Sequence, residues 1–170
     1  MRTVVRHLLA VLALPATVAI FVPRWIARRY AVTFGAPTDV ADWLLLVCGV
    51  AFLAVGLGLF SASLYNFVTQ GRGTLAPWDP PRQLVVRGPY RFVRNPMISG
   101  VIFVLFGEAL VLRSLPHAVW AAAFLVLNAI YIPLVEEPQL EARFGEPYSR
   151  YRRHVARFLP RLRPWNPDNG

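Results

Sequence analysis

Met97-Ile-Ser-Gly-Val-Ile-Phe-Val-Leu-Phe-Gly-Glu-Ala-Leu-Val-Leu112, then Arg113-Ser-Leu-Pro116, then His117-Ala-Val-Trp-Ala-Ala-Ala-Phe-Leu-Val-Leu-Asn-Ala-Ile-Tyr-Ile-Pro-Leu-Val135 reads as two apolar runs parted by one short break. Each run comes close to the roughly 20 apolar residues with which a helix crosses a bilayer. The break carries an arginine, a serine and a proline, so the runs are predicted to form an antiparallel hairpin. Two more apolar runs precede it, Val4 to Val22 and Val40 to Val68. With 56% hydrophobic residues and a mean hydropathy of +0.45, the chain is too apolar for an ordinary water-soluble domain. The expectation is all-α: one integral membrane helical bundle of about four transmembrane helices, with residues 1–70 as N-terminal membrane helices and 82–160 as a functional core.

Charge orients the hairpin. All eighteen lysine-plus-arginine positions are arginine, and the net charge is +9. Arg82, Arg87, Arg91 and Arg94 precede the first run of the hairpin, and Arg143 to Arg163 follow the second. Both outer ends, and the C-terminal segment with them, are therefore expected in the cytoplasm. Arg24, Arg28 and Arg29 would fall on the other side if the first run spans. That run is either a full span bent near Pro15 or a shallow helix. Basic residues grouped beside apolar runs suit anionic lipid headgroups and argue against a nucleic-acid partner. Cys48 is alone in an apolar run, so disulfides do not hold the fold, and the three scattered histidines offer no metal-ligand spacing.

Beyond the hairpin, Leu140, Phe144, Tyr148, Tyr151, Val155 and Leu159 recur every three or four residues with arginines between them. Gly145 and Pro147 should split this stripe into two amphipathic helices. They either lie on the headgroups or fold back as a lid over a cytoplasmic site. Polar residues inside the apolar runs are the candidates for function. Asn95 and Ser99 share a face at i, i+4; Asn128, Ile132 and Glu136 share another, with Tyr131 adjacent. Interhelical hydrogen bonding is the plainer explanation for Ser99 and Asn128, whereas the acids Glu136-Glu137 among so many arginines suit a ligand's ammonium or hydroxyl groups. Glu108 is expected to pair with Arg113, and Gly49, Ala54, Gly56, Gly58 and Ala62 to let helices approach closely.

These motifs occur in a fixed order that resembles the isoprenylcysteine carboxyl methyltransferase family. That family has a histidine-x-leucine-valine run, a glycine and tyrosine, then arginine-histidine-proline-x-tyrosine leading into a membrane helix. The corresponding residues are Arg82-Gln83-Leu84-Val85, Gly88 and Tyr90, then Arg94-Asn95-Pro96-Met97-Ile98. After a hairpin come adjacent glutamates, phenylalanine-glycine-glutamate-x-tyrosine and an arginine- and proline-containing tail. They correspond to Glu136-Glu137, Phe144-Gly145-Glu146-Pro147-Tyr148 and Arg157-Phe158-Leu159-Pro160.

The resemblance implies a membrane methyltransferase that takes a methyl group from S-adenosylmethionine, leaves S-adenosylhomocysteine, and receives a hydrophobic or lipidic acceptor from the bilayer. It implies a cofactor pocket lined by Arg82, Gln83, Leu84, Val85, Tyr90, Asn95, Pro96, Met97, Ile98 and Glu136. Ser99, Asn128, Tyr131 and Ile132 would face the acceptor. Asn95 and Ile98 stand where the family has histidine and tyrosine. Ile132 stands where members acting on prenylcysteine place an arginine for the substrate carboxylate, which points to a different acceptor. A sterol-reductase-like enzyme using NADPH and a non-enzymatic membrane scaffold or lipid-binding protein are the alternative readings.

Overall fold

A computed structural model describes residues 14–70 and 84–166. Every regular element among the described residues is helical. A π-helical turn, Thr17–Phe21, runs into α1 (Val22–Arg29). There follow α2 (Val40–Gln70), a 3-10 turn at Gly88–Arg91, α3 (Pro96–Val111) and α4 (Leu115–Tyr131). A second π-helical turn, Ile132–Glu136, leads into α5 (Glu137–Phe144) and then α6 (Glu146–His154).

Two of these helical stretches, Val40–Asn66 and Leu115–Phe144, are long and apolar enough to cross a membrane. Their apolar side chains face outward: Trp43, Leu44, Val47 and Leu57 on the first, and Val119, Val126, Leu127 and Ile130 on the second, are exposed. An aqueous protein would bury such side chains, while lipid solvates them. The expected count of four is not reached among the described residues. α3 has 16 residues, about 24 Å at the helical rise, short of a hydrocarbon core of about 30 Å. Residues 4–13 of the first apolar run lie outside the described residues.

The chain divides into two compact units, residues 1–58 with 100–126, and residues 59–99 with 127–170; α2, α3 and α4 each contribute to both. In the first unit α2 and α3 run antiparallel, because Gly49 abuts Gly107 and Val111 while Gly56 abuts Gly100 and Val104. Backbones this close leave no room for a Cβ: one on Gly56 would sit 2.7 Å from the Gly100 carbonyl oxygen. Gly58, expected to serve the same purpose, faces open space.

α3 ends with Arg113 in the left-handed region (φ 49°). The Ser114 amide donates to the Ala109 carbonyl and the Arg113 amide to that of Leu110, which satisfies carbonyls left over at the helix end. Arg113 does not pair with Glu108. Its guanidinium instead pairs with Asp42 and donates to the Gly35 carbonyl at 2.6 Å, so the expected Glu108–Arg113 pair is not formed. Beside it the His117 Nε2 hydrogen goes to the Pro23 carbonyl at 3.2 Å, since a carbonyl can only accept, and Nδ1 is 2.7 Å from the Ser114 hydroxyl.

A π-helical turn at residues 17–21 lies just beyond Pro15. In this turn the Val22 amide donates to the Thr17 carbonyl. The next bond in that ladder would need an N–H on Pro23, which has none. The Trp120 indole donates to the stranded Val18 carbonyl at 3.1 Å.

Candidate functional site

The second unit holds most of the residues that the sequence singled out. Its core is Tyr148, Tyr151, Val155 and Trp165, packed against Leu84, Val86, Leu140 and Phe144. The apolar stripe of α5 and α6 thus turns inward onto the segment before α3. Gly145 (φ 60°) makes the turn between the two helices, and Pro147 opens α6, as the sequence predicts.

Beyond α6 the chain is stitched to residues 90–99. The Tyr151 hydroxyl donates to the Tyr90 carbonyl at 2.6 Å. Arg94 and Asn95 amides donate to the Ala156 and Arg157 carbonyls, and Arg161 and Trp165 amides to those of Phe92 and Arg91. Ser99, in the first turn of α3, donates to the Phe158 carbonyl at 3.1 Å. The Asn95 side chain is directed to the Arg157 carbonyl, 3.5 Å away. Both polar side chains of this helix face therefore contact the tail. Of the two arrangements open to the C-terminal helices, their inward stripe and this stitching match a segment folded back on the chain.

The second π-helical turn sets the register of the two acids. Pro133 and Pro138 lack amide hydrogens, and the Glu137 amide donates five residues back, to Ile132. One extra residue in the turn rotates everything after it by about 100°. Asn128 and Ile132 are buried, and the next buried residue on that face is Glu137, not Glu136. The five-residue step brings Glu137 onto the Asn128–Ile132 face, with the partly buried Glu136 next to it.

Glu137 sits between two arginines. Arg157 donates to it through Nε at 2.6 Å and Nη2 at 3.1 Å, and Arg94 Nη2 lies 3.2 Å away. The Arg157 guanidinium is held even more firmly protonated by this carboxylate. Arg94's side chain is only 9% exposed. Its Nε and Nη1 have no hydrogen-bond partner among the described residues. Burial, and then the field of Glu136, raises the ionisation of the Tyr90 phenol far above its ordinary range. Tyr148, beside Arg94 and both glutamates, is pushed up to about 12, mainly by burial. Each is a neutral phenol at physiological pH.

The family model for phospholipid methyltransferases matches residues 44–147, well over half of the chain. The chain belongs to the phospholipid methyltransferase family. This is a family of membrane S-adenosylmethionine-dependent methyltransferases related to the isoprenylcysteine carboxyl methyltransferases, so the resemblance read from the motifs holds. No curated protein and no solved structure gives a significant match.

The phospholipid methyltransferase match takes in Tyr90, Asn95 and the glutamate pair and stops before Arg157. Arg82 and Gln83 lie outside the described residues. Leu84 and Val85 are partly buried, Leu84 against the core, and Pro96 is buried at the start of α3, followed by the partly buried Met97 and Ile98. Tyr131 is half exposed. Sequence reasoning passed over Arg94, Glu137 and Arg157 as a unit; the adjacent acids and arginines were visible, but not the π-helical turn that brings them together.

Proposed function

We propose that this phospholipid methyltransferase family member is an S-adenosylmethionine-dependent enzyme that methylates a lipid-like acceptor reaching it from the bilayer. The observation that supports it best is the buried Arg94 guanidinium, with two nitrogens that have no partner among the described residues, beside Tyr148 and the glutamate pair. S-adenosylmethionine carries a carboxylate, an ammonium and ribose hydroxyls. A guanidinium edge, a carboxylate and phenols form the complementary donor and acceptor set, so the residues present fit the cofactor.

In this reading Arg94 takes the cofactor carboxylate and Glu136 its ammonium or ribose hydroxyls. Tyr90 and Asn95 add neutral hydrogen bonds, while Leu84, Val85, Pro96, Met97 and Ile98 supply an apolar wall. When bound, the cofactor supplies an activated methyl group on a sulfonium. The chain's contribution is then alignment and exclusion of water, with Tyr90 too weakly acidic to serve as a base. Arginine asymmetry supports a cytoplasmic position for the site and the C-terminal segment. Ser99, Asn128, Tyr131 and Ile132 border the acceptor. Ile132 is apolar and buried, so a prenylcysteine carboxylate would lack a charged grip there, and a lipid of other headgroup chemistry is the better fit.

Calorimetric titration of the purified protein with S-adenosylhomocysteine, with NADPH as the parallel ligand, tests the reading. Saturable binding of the first alone is expected, weakened at least about tenfold in Glu136→Gln or Tyr90→Phe. Binding of NADPH instead, or unchanged affinity in both variants, overturns it.

A further inference from the structure

Leu159-Pro160-Arg161-Leu162-Arg163-Pro164 follows the buried Val155 and precedes the buried Trp165. Within it Leu162 is fully exposed and Leu159 is 77% exposed. Two leucines facing out of a segment otherwise rich in arginine are not explained by the core that surrounds its ends.

This loop is held firmly. The Arg161 and Trp165 amides donate to the Phe92 and Arg91 carbonyls at 2.9 Å each, and Arg91 Nε returns a bond to the Trp165 carbonyl at 2.8 Å. The Trp165 ring stacks on His154 and contacts Tyr151. Its depth is fixed as well. Phe158, the residue before Leu159, accepts a hydrogen bond from Ser99 in the first turn of α3, where the chain passes into an apolar helix. The segment carrying the exposed leucines thus starts beside the first turn of an apolar helix.

We infer that Leu159–Pro164 is a membrane-surface loop that seats Leu159 and Leu162 at the headgroup–acyl boundary and binds anionic phospholipid through Arg161 and Arg163. The chemistry agrees at each position. Leucine favours the acyl boundary, and arginine forks match phosphate oxygens. Pro160 and Pro164 have no amide hydrogens, which reduces the backbone polar groups that must leave water. Arg161 spends one nitrogen on the His154 carbonyl and stays exposed, as does Arg163. From residue 147 to residue 167 the sequence contains six arginines and no acid. Arg152 and Arg153 are paired with Glu141 and Glu146, and Arg157 with Glu137, which leaves Arg161 and Arg163, like Arg150, without an acidic partner among the described residues.

The test needs no catalytic readout. A Cys48→Ala, Leu162→Cys protein carrying an environment-sensitive fluorophore is placed in bilayer nanodiscs of phosphatidylcholine, with or without phosphatidylglycerol. Nitroxide labels high on the acyl chains should quench the probe. Quenching should rise roughly twofold or more with the anionic lipid, and Arg161→Gln with Arg163→Gln, or high salt, should abolish that increment. Equal quenching in both membranes, or none in either, overturns the inference. So does a blue-shifted probe that the lipid nitroxides fail to quench, which would place Leu162 against a second copy of the chain.

Discussion

Arg157 clasps Glu137 with both sides of its fork, Nε to Oε1 at 2.6 Å and Nη2 to Oε2 at 3.1 Å, while Arg94 approaches the same carboxylate from inside the unit. The two arginines are not equivalent. Arg94 is buried and depends on Glu137 for compensation, whereas Arg157 is 31% exposed and has water as an alternative. Glu137→Ala should therefore cost about 3–5 kcal/mol, the usual penalty for stranding a buried charge. Arg157→Gln should cost only about 1–2 kcal/mol. Thermal unfolding in detergent measures both. Arg94→Met combined with Glu137→Leu should recover much of the loss, because no buried charge is then left alone and Arg157 can turn to water; equal losses in the two single variants would contradict this ordering.

Alkaline titration probes the same unit through its phenols. Tyr148 is pushed up to about 12, and Tyr90 and Tyr151 are raised further, in each case chiefly by burial. A raised phenol binds its proton more tightly folded than unfolded. The stability linked to it is complete below the unfolded value of about 10 and is lost as pH rises toward the folded value. At about pH 11 the folded protein should show clearly less tyrosinate absorbance than the unfolded chain. Identical titration curves would mean that these rings are open to water.

Much of this arrangement was legible in the sequence. Apolar run lengths located α2, α3 and α4 to within a few residues, because burial in lipid imposes a simple length rule. Gly88-Pro89, Gly145 and Pro147 marked their turns, since glycine takes a positive φ without cost and proline is pre-set for a first helical turn. Register within the glutamate pair was not legible. Counting in steps of four from Asn128 reaches Glu136, but Pro133 and Pro138 accompany a five-residue step that buries Glu137 as well. Long-range partners were equally hidden: nothing in local spacing tells Arg113 to prefer Asp42 over the nearer Glu108.

The glycines of α2 offer a matched pair. A Cβ on Gly56 would lie 2.7 Å from the Gly100 carbonyl oxygen and 2.8 Å from the Val104 nitrogen, both backbone atoms that cannot swing aside. A Cβ on Gly58 would meet nothing within 4 Å. Gly56→Ala should lower stability by about 1–3 kcal/mol through overpacking. Gly58→Ala should be neutral or gain up to about 1 kcal/mol from reduced backbone entropy. Unfolding of the two variants side by side decides the point, and a loss at position 58 matching that at 56 would refute the packing.

Tyr151 offers a way to loosen the C-terminal segment without disturbing the ion cluster. Its hydroxyl donates to the Tyr90 carbonyl at 2.6 Å, while its ring packs between Tyr148 and Trp165. Tyr151→Phe keeps the ring and removes the bond, leaving that carbonyl without this donor. The loss should be about 1 kcal/mol globally. Locally it should be larger in effect, because the tail is held by a few backbone bonds rather than by a helix of its own. Amide exchange at Arg161 and Trp165, whose hydrogens go to Phe92 and Arg91, should then quicken about fivefold or more while exchange in α2 stays unchanged. Uniform acceleration along the chain would instead mean that the tail opens only with global unfolding, and that it is an integral part of the unit rather than a separable cover.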